Sequence, residues 1–228
     1  MKLTTLNLQG FTNWKQRQSK ILDYLRDTKP DIILFQEVVF LPEISPYSQV
    51  QLLNQELEYP YEHSSITRLQ VGVDYATFRE GLSALSTFPV VSSDTIILKK
   101  APGDEHNRII QLIDVRKNNQ IIKIANVHFS LSDTTDYATA HLVETLEILN
   151  ARKEVRIIAG DFNLENLEKT SALWRDTYIA STHIPYLSQP SLGKCIDYVL
   201  IPKAYRLETL EVSNDELSDH RAVTVTVL

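Results

Sequence analysis

The fold is decided at Arg156-Ile157-Ile158-Ala159-Gly160-Asp161-Phe162-Asn163, where an apolar run stops at a glycine and polar residues follow. The apolar run predicts a buried strand. Because residues i and i+2 of an extended segment point to the same side, we expect Asp161 and Asn163 to project into one pocket. A carboxylate beside a carboxamide suits a site for a divalent cation and a phosphate. A strand that ends in an Asx turn gives the same pattern.

The bulk properties predict one domain over residues 1–228, with a net charge of −6 at pH 7. This balance disfavours a broad basic face for nucleic acid, although a local basic groove is compatible with it. The single cysteine, Cys195, excludes an internal disulfide and a cysteine-cluster zinc site, and favours a reducing compartment. No stretch approaches the length of a membrane-spanning helix, so we expect no membrane insertion and a cytoplasmic location.

The first part of the chain predicts strands that alternate with helices. Residues 2–8 predict a strand that carries Asn7 near its end, residues 14–28 an amphipathic helix, and residues 31–35 a buried strand that ends at Glu37. In open α/β sheets, ligands collect at the carboxyl ends of strands. Polar side chains at these two ends are therefore candidates for a binding site.

From about residue 59 the pattern changes to antiparallel hairpins, and a strand–helix–strand pattern then returns. The predicted strands of the hairpin region cover 61–66, 69–78, 90–99, 108–115 and 121–128, the last two joined by an Asn118-Asn119 turn. The other predicted elements are helices at 49–57, 137–151 and 168–174, and strands at 195–201, 207–212 and 222–228. This order predicts an α/β, four-layer sandwich in which helices flank two packed mixed β-sheets.

Polar residues follow the predicted strands in an order that resembles a known family. The segments that carry them are Leu6-Asn7, Phe35-Gln36-Glu37, Glu80-Gly81-Leu82-Ser83, Asn126-Val127-His128, Gly160-Asp161-Phe162-Asn163, Ile196-Asp197-Tyr198 and Ser218-Asp219-His220. Over nearly the whole chain, this series resembles the endonuclease/exonuclease/phosphatase superfamily, the DNase-I-like magnesium phosphoesterases. Any one of these short segments is a weak signal, whereas the full set in this order is a strong one.

The resemblance implies a site for Mg²⁺, with Mn²⁺ as the alternative. Glu37 matches the metal ligand of the family, helped by Asn7 and Asp219, and Asp161 is expected to touch the metal. Magnesium prefers oxygen ligands and keeps several waters, so one or two carboxylates are sufficient. Taken alone, Glu37 fits a solvated strand end better.

The resemblance also implies catalytic roles for residues near the end of the chain. His220, oriented by Asp197, acts on the attacking water or stabilises the charged phosphate, and the sequence leaves open whether it is a neutral base or a cation. Asp161 positions or deprotonates the water. Asn163 donates its amide to a phosphate oxygen.

A second histidine, His128, matches the family position near the leaving-group oxygen. Glu80 stands where the family places a glutamate that pairs with this histidine, and such a pair would raise the pKa of His128 so that it donates a proton. Arg108 resembles a phosphate-contacting arginine, and a solvated arginine at a strand start is an equal alternative. Asn126 is expected to point to the same side as His128 and to orient the site.

These residues predict a magnesium-dependent hydrolase of phosphoesters, either a phosphodiesterase or a phosphatase. The expected substrate is a small phosphoester, a nucleotide or a short single strand of nucleic acid. The alternatives are a DNA or RNA nuclease of the same superfamily and a catalytically silent binding module. A silent module has no need of costly convergent polar groups. Specificity is expected in loops 40–58, 66–78, 101–107 and 175–194, and no protein partner can be inferred.

Overall fold

Two six-stranded sheets form most of the structure. The computed structural model describes residues 1–41, 45–70, 77–131, 136–214 and 216–228. In spatial order, the first sheet consists of β11 (Leu207–Val212), β12 (Val223–Val227), β1 (Lys2–Asn7), β2 (Ile32–Phe40), β4 (Phe78–Ser86) and β3 (Tyr61–Gln70). The second consists of β5 (Val90–Ile97), β6 (Ile109–Lys117), β7 (Gln120–His128), β8 (Ile157–Asp161), β10 (Asp197–Pro202) and β9 (Tyr178–Ala180). Each sheet has one parallel pair at its centre, β1–β2 or β7–β8.

Helices cover the outer faces of both sheets. The helices α1 (Trp14–Thr28) and α2 (Gln49–Leu57) pack on the first sheet, and α3 (Tyr137–Ala151) and α4 (Ser171–Trp174) pack on the second. Short 3₁₀ turns lie at Leu167–Thr170, Ser181–His183 and Pro190–Leu192. This arrangement confirms the predicted four-layer α/β sandwich, and the bounds of α1, α2 and α3 agree with those predicted from the sequence.

Strand alternation divides the core into layers and sets the direction of the polar strand ends. Leu3 and Ile157 lie in the apolar cluster between the two sheets, whereas Ile158 packs in the cluster beneath α3. Successive residues of a strand face opposite sides. Counting in twos from Leu3 and Ile157 leads to Asn7 and Asp161, which therefore face the space between the sheets.

A bulge in β2 breaks this alternation at Glu37. The register between β2 and β4 shifts between Phe35 and Val38, so that β2 contains one extra residue, and Glu37 has a φ of 52°. Phe35 and Val38 both lie in the outer core beneath α1. In a regular strand Glu37 would share the face of Phe35, so the bulge is what turns this carboxylate towards the space between the sheets.

Two glycines allow neighbouring strands to approach closely. Gly160 has a φ of 147°, and a Cβ there would lie 1.9 Å from the Val127 carbonyl oxygen of β7. A Cβ on Gly81 would lie 2.0 Å from the Ser65 carbonyl oxygen of β3. Gly160 precedes Asp161, and Gly81 follows Glu80. The close approach therefore fixes the strands that carry these two acidic residues.

The hairpin region differs from the prediction in two respects. The predicted strands 61–66 and 69–78 correspond to one strand, β3, which has a bulge near Ile66 and ends at Gln70, and residues 71–76 lie outside the described residues. The segment Glu80-Gly81-Leu82-Ser83, assigned to no element from the sequence, lies within β4. Within the described ranges, no helix is both long and apolar enough to cross a membrane.

Candidate active site

Three strands of the second sheet present polar residues side by side. Asp161 ends β8, His128 ends the parallel neighbour β7, and Asp197 begins the antiparallel neighbour β10. Asp161 is the register partner of both His128 and Asp197. Their side chains face the first sheet, because Ile124 and Val199, which stand at even spacing from them, lie in the cluster between the sheets.

Asn7 of the first sheet connects two of the expected acidic residues. Its Nδ2 donates to Glu37 Oε1 at 3.1 Å and to Asp161 Oδ2 at 3.0 Å. Its Oδ1 accepts a hydrogen bond from the Gln9 backbone N at 2.8 Å. Glu37 in the β2 bulge and Asp161 at the end of β8 therefore bind the same Asn7 amide. Their two carboxylates converge between the sheets.

His220 is held by a carboxylate. Its Nδ1 donates to Asp197 Oδ2 at 2.8 Å, and its Nε2 lies 4.0 Å from Asp161 Oδ2. Burial alone would lower the pKa of His220, but the charge and hydrogen bond of Asp197, with the charge of Asp161, raise this pKa above its ordinary value. Burial and the nearby Asp197 charge raise the pKa of Asp161. This part of the site thus combines a cationic imidazole with a crowded pair of carboxylates.

His128 is held by an arginine instead. Arg108 Nη1 lies 2.9 Å from His128 Nδ1, and since arginine can only donate, Nδ1 accepts and the proton is on Nε2. Nε2 in turn lies 3.4 Å from Asp161 Oδ2 and 3.9 Å from Glu37 Oε1. Burial and the positive charge of Arg108 lower the pKa of His128 well below its ordinary value. His128 is therefore a neutral donor that faces the carboxylates.

The expected Glu80–His128 pair is wrong. Glu80 points its carboxylate at Arg68 across the β3–β4 pair, with Arg68 Nε at 3.1 Å from Oε1 and Nη2 at 3.3 Å from Oε2. Nδ1 of His128, which could have formed a hydrogen bond with Glu80, is instead bonded to Arg108. Because a guanidinium binds a carboxylate through two parallel hydrogen bonds, Arg68 is the better partner for Glu80, and the predicted rise in the pKa of His128 does not occur.

The expected common orientation of Asp161 and Asn163 is also corrected. The strand ends at Asp161, and Asn163 has a left-handed φ of 50°, so the extended geometry assumed from the sequence does not reach it. The Asn163 backbone N donates to Asp161 Oδ1 at 2.9 Å, and Asn163 Nδ2 donates to the Phe129 carbonyl at 2.9 Å. The Asx turn that was the alternative is the geometry observed, and one amide hydrogen of Asn163 is directed to the backbone.

The loop that carries Asp219 and His220 is tied to the end of β1. Ser218 Oγ donates to the Asn7 carbonyl at 2.7 Å, and the Asp219 backbone N lies 3.3 Å from Gln9 Oε1. The Asp219 carboxylate is 3.4 Å from Ser218 Oγ. In the part of the chain that the structure describes, Asp161, Asp197 and His220 form a close cluster of possible ligand atoms. A metal-binding role of Asp219 stays a prediction.

Three further residues near this site serve the fold. Trp174 is buried in the core beneath α3, and its Nε1 donates to Thr170 Oγ1 at 3.1 Å. Tyr186 is partly buried and donates its hydroxyl to the Asp197 carbonyl at 2.7 Å, so it supports β10. His141 is buried, and its Nδ1 accepts from the Ser130 backbone N at 3.3 Å.

Two arginines near the site were missed by sequence reasoning. Arg68 holds Glu80, and no motif marks it. Arg17 is buried within α1 and donates to the carbonyls of Thr12, Leu217 and Leu8 at 2.7–2.8 Å, which joins the exit of β1 to the loop before His220. The only sequence signal for Arg17 was its position on the apolar side of α1.

The donor set fits a hard divalent cation. Glu37 and Asp161 supply carboxylate oxygens around Asn7, and oxygen ligands are those that Mg²⁺ prefers. Among the described residues, Asp197 Oδ1 and Arg108 Nε are buried without hydrogen-bond partners, so the site has an unpaired acceptor and an unpaired donor. A site with both kinds of group suits a cation together with an oxyanion. Asp197 Oδ2 is bonded to His220, and Asn7 turns its Nδ2 to the carboxylates, which leaves Glu37 and Asp161 as the principal oxygen ligands.

The same fold occurs in solved structures of phosphoester-processing proteins. The chain is similar to an endonuclease/exonuclease/phosphatase family protein from Leptotrichia buccalis C-1013-b, with a TM-score of 0.80, 17% identity and coverage of 100% of this chain and 99% of that one. A mannosyl-6-phosphatase from Bacteroides thetaiotaomicron VPI-5482 gives a TM-score of 0.72 at 16% identity, with coverage of 100% and 99%. The human Nocturnin catalytic domain with bound sulfate gives 0.74 at 16% identity, with coverage of 100% and 94%.

Sequence comparison identifies the family. No curated protein sequence matches the chain. The model of the Endonuclease/Exonuclease/phosphatase family matches residues 4–220, which contain every candidate site residue described above. The chain therefore belongs to the endonuclease/exonuclease/phosphatase family, whose members are hydrolases that act on phosphoester bonds.

Proposed function

We propose that the protein is a Mg²⁺-dependent hydrolase that cleaves a phosphoester bond of a small phosphoester or a nucleotide. The observation that supports this proposal most directly is the convergence, around Asn7, of Glu37 and Asp161 beside the Asp197–His220 pair. Phosphoester hydrolysis needs an activated water, neutralised charge and a leaving group that can depart, and each of these has a candidate group in this site.

Asp161 is the proposed acceptor of the proton from the attacking water. It lies at the centre of the site, between His128 and Asp197, and burial raises its pKa. A base is most effective when its pKa is close to the working pH, and a raised carboxylate pKa moves in that direction. Asn163 fixes one Asp161 oxygen through its backbone N–H, which leaves the other oxygen to face the reacting group.

His220 is proposed to act as a cation that stabilises the phosphate, rather than as the base. Asp197 occupies its Nδ1 and holds positive charge on the ring, so Nε2–H is the atom available to a phosphate oxygen. The neutral His128 offers Nε2–H from the other side of Asp161. Two imidazole donors therefore flank the position at which a phosphorus atom would be attacked.

The proposed metal ligands are Glu37 and Asp161, whose carboxylates are held by Asn7 Nδ2, with Asp219 as an outer carboxylate. When bound, Mg²⁺ supplies positive charge against the charge that develops on the phosphate in the transition state. Arg108 is proposed to add a fixed positive charge beside the phosphate, because its Nε is buried and unpaired in the described structure.

The proposal is tested by hydrolysis of a panel of phosphoesters. The panel contains p-nitrophenyl phosphate, bis-p-nitrophenyl phosphate, mannose 6-phosphate, a nucleoside monophosphate, and single-stranded DNA and RNA oligonucleotides, each with Mg²⁺ and with EDTA. We expect Mg²⁺-dependent turnover of at least one small ester, and loss of about 10²–10⁴-fold in kcat for Asp161→Ala and His220→Ala without loss of folding. The mannosyl-6-phosphatase neighbour motivates the sugar phosphate in this panel.

The outcomes separate the three functional classes. Cleavage restricted to the oligonucleotides would assign a nuclease instead. Binding of an ester without turnover, in wild type and variants alike, would assign a silent binding module. Full turnover in a folded Asp161→Ala variant would contradict the proposed roles, whatever the substrate.

A further inference from the structure

We propose that Asn126 is a positioning residue that holds the bulge in β2 and thereby aims Glu37 at the cation site. The inference rests on the proposed function only in assigning Glu37 as a metal ligand. Asn126 belongs to β7 of the second sheet, whereas the bulge belongs to the first, so the contact crosses the space between the sheets. Asn126 is fully buried beneath the site.

The side-chain amide of Asn126 contacts the backbone at the edge of the bulge. Its Nδ2 donates to the carbonyls of Phe35 at 3.2 Å and of Ser83 at 3.3 Å. Phe35 and Ser83 are the last register partners of β2 and β4 before the extra residue. A bulge disrupts the ladder locally and leaves backbone groups without strand partners. Phe35 and Ser83 stand at the edge of this disruption, and Asn126 donates to one carbonyl on each strand from the opposite sheet.

The same amide also fixes the residue that precedes Glu37. Asn126 Oδ1 accepts from Gln36 Nε2 at 2.8 Å, and Gln36 Nε2 also contacts Thr5 Oγ1 of β1 at 3.0 Å. Gln36 is therefore held from two sides while Glu37 adopts its left-handed conformation. A change in the backbone of Gln36 would turn the peptide that follows it. By holding the Gln36 side chain, these contacts restrain the orientation of the Glu37 carboxylate.

Gln111 of β6 completes this arrangement, which we call the amide clamp (Gln36, Asn126 and Gln111). Gln111 Oε1 accepts from Asn126 Nδ2 at 3.0 Å, and Gln111 Nε2 donates to the Leu82 carbonyl at 3.3 Å. Leu82 is the residue of β4 that stands opposite the bulge, between the partners of Phe35 and Val38. The clamp therefore reaches carbonyls on both strands of the irregular pair.

The clamp explains how a costly conformation persists. A non-glycine residue with positive φ is strained, and such a conformation persists only where its surroundings fix it. Regular pairing would remove this cost, but it would turn Glu37 to the face of Phe35, away from Asn7 and His128. We infer that the clamp keeps β2 in the bulged register, so that loss of the clamp weakens cation binding more than it weakens the fold.

The experiment measures binding of Mn²⁺ alone to the substrate-free protein, by calorimetry and by electron paramagnetic resonance. Loss of a residue that orients a metal ligand typically weakens metal affinity about 10–100-fold, and we expect this range for Asn126→Leu. The second variant is Gln36→Met, which removes the Gln36 amide and leaves Asn126 and Gln111 in place. It should also weaken Mn²⁺ binding. Circular dichroism and thermal unfolding establish that each variant is folded.

Thr4→Val is the matched control. It removes the buried 2.7 Å hydrogen bond between the hydroxyls of Thr4 and Thr224 in the same sheet, outside the clamp. We expect a lower unfolding temperature with unchanged Mn²⁺ affinity. Wild-type affinity for Mn²⁺ in folded Asn126→Leu and Gln36→Met would overturn the inference; if the first does not fold, the second decides. Absence of Mn²⁺ binding in the wild type, or unchanged binding in Glu37→Gln, would instead contradict the proposed function.

Discussion

The two histidines of the site occupy similar positions and have opposite electrostatic surroundings. His220, in the loop before β12, has a carboxylate behind its ring, and its pKa is raised. His128, at the end of β7, has a guanidinium behind its ring, and its pKa is lowered. Both present Nε2 to the same Asp161 oxygen. Burial lowers the pKa of both rings, so the different partner of each Nδ1 accounts for their opposite pKa shifts.

This difference assigns the two sides of the site different tasks. An imidazole whose pKa is raised can carry positive charge against a phosphate, whereas a neutral one with a fixed tautomer can donate a hydrogen bond from Nε2. Replacing Asp197 should therefore change the pKa of His220 and leave that of His128 unaltered, and replacing Arg108 should do the reverse.

Asp197→Asn should have the largest effect, because it removes the carboxylate from behind His220 alone. We expect kcat for the substrate identified above to fall by about 10³-fold, within the range for loss of acid–base or charge-stabilising assistance. Asp114→Asn, which removes an ion-pair partner of Arg156 on the same sheet, is the control and should lower stability without this loss. Equal kcat losses in both variants would contradict the distinction.

The protonation of the two rings gives an independent readout of the same variant. Nitrogen NMR of the metal-free protein should show a charged His220 above pH 6.5, its ordinary value, and a neutral His128 below that pH. Since its folded pKa is raised, charged His220 adds stability that is fully present below pH 6.5 and is lost as the pH rises through the folded pKa. In Asp197→Asn, His220 should lose its proton at a lower pH while His128 is unchanged.

Gly160→Ala should have the next largest effect, because both sides of the site depend on the β7–β8 pair. The added Cβ would meet the Val127 carbonyl at 1.9 Å, so the strands that carry His128 and Asp161 must separate. We expect the free energy of unfolding in urea to fall by about 1–3 kcal/mol. Gly193→Ala is the control, since its φ of 66° is similarly left-handed but a Cβ there has no atom within 4 Å. A loss no larger than that of Gly193→Ala would show that β7 and β8 can relax.

Arg108→Gln should have the smallest of these effects and should be confined to the His128 side. Loss of one charged hydrogen bond costs about 1.5 kcal/mol, so we expect kcat/KM to fall about 10-fold. The charge of His220 should not change in the NMR experiment. Arg79→Gln, a change of the same charge at an exposed position of β4, should leave kcat/KM unaltered. A His220 ring that responds to Arg108→Gln would show that the two sides are coupled.

The layers of the fold and the polar strand ends could be predicted because they follow from periodicity. Helical spacing gave the bounds of α1 and α3, and alternation along β7 and β8 carried His128 and Asp161 to the inter-sheet face. These are local properties of a short segment, and the sequence contains them directly.

The departures from the prediction have physical causes that lie outside single segments. A left-handed φ at Glu37 has no obligatory residue type, so the bulge was not visible in the sequence, and the sequence pattern at Asp161 and Asn163 fitted an extended strand end and an Asx turn equally well. The partner of Glu80 depended on competition between a histidine and an arginine that come together only in the folded sheets. Glu80 binds Arg68, because a guanidinium matches a carboxylate in shape. Nδ1 of His128 is bonded to Arg108 and is not free to pair with Glu80.

The tie between Ser218 and Asn7 has a consequence for how the protein matures. These residues are 211 positions apart, and the bond between them joins the first strand to the loop that carries His220. During synthesis the N-terminal segment emerges first, and contacts so distant in sequence form late. The loop that carries Asp219 and His220 therefore reaches its place in the site only when the two ends of this 211-residue separation have come together.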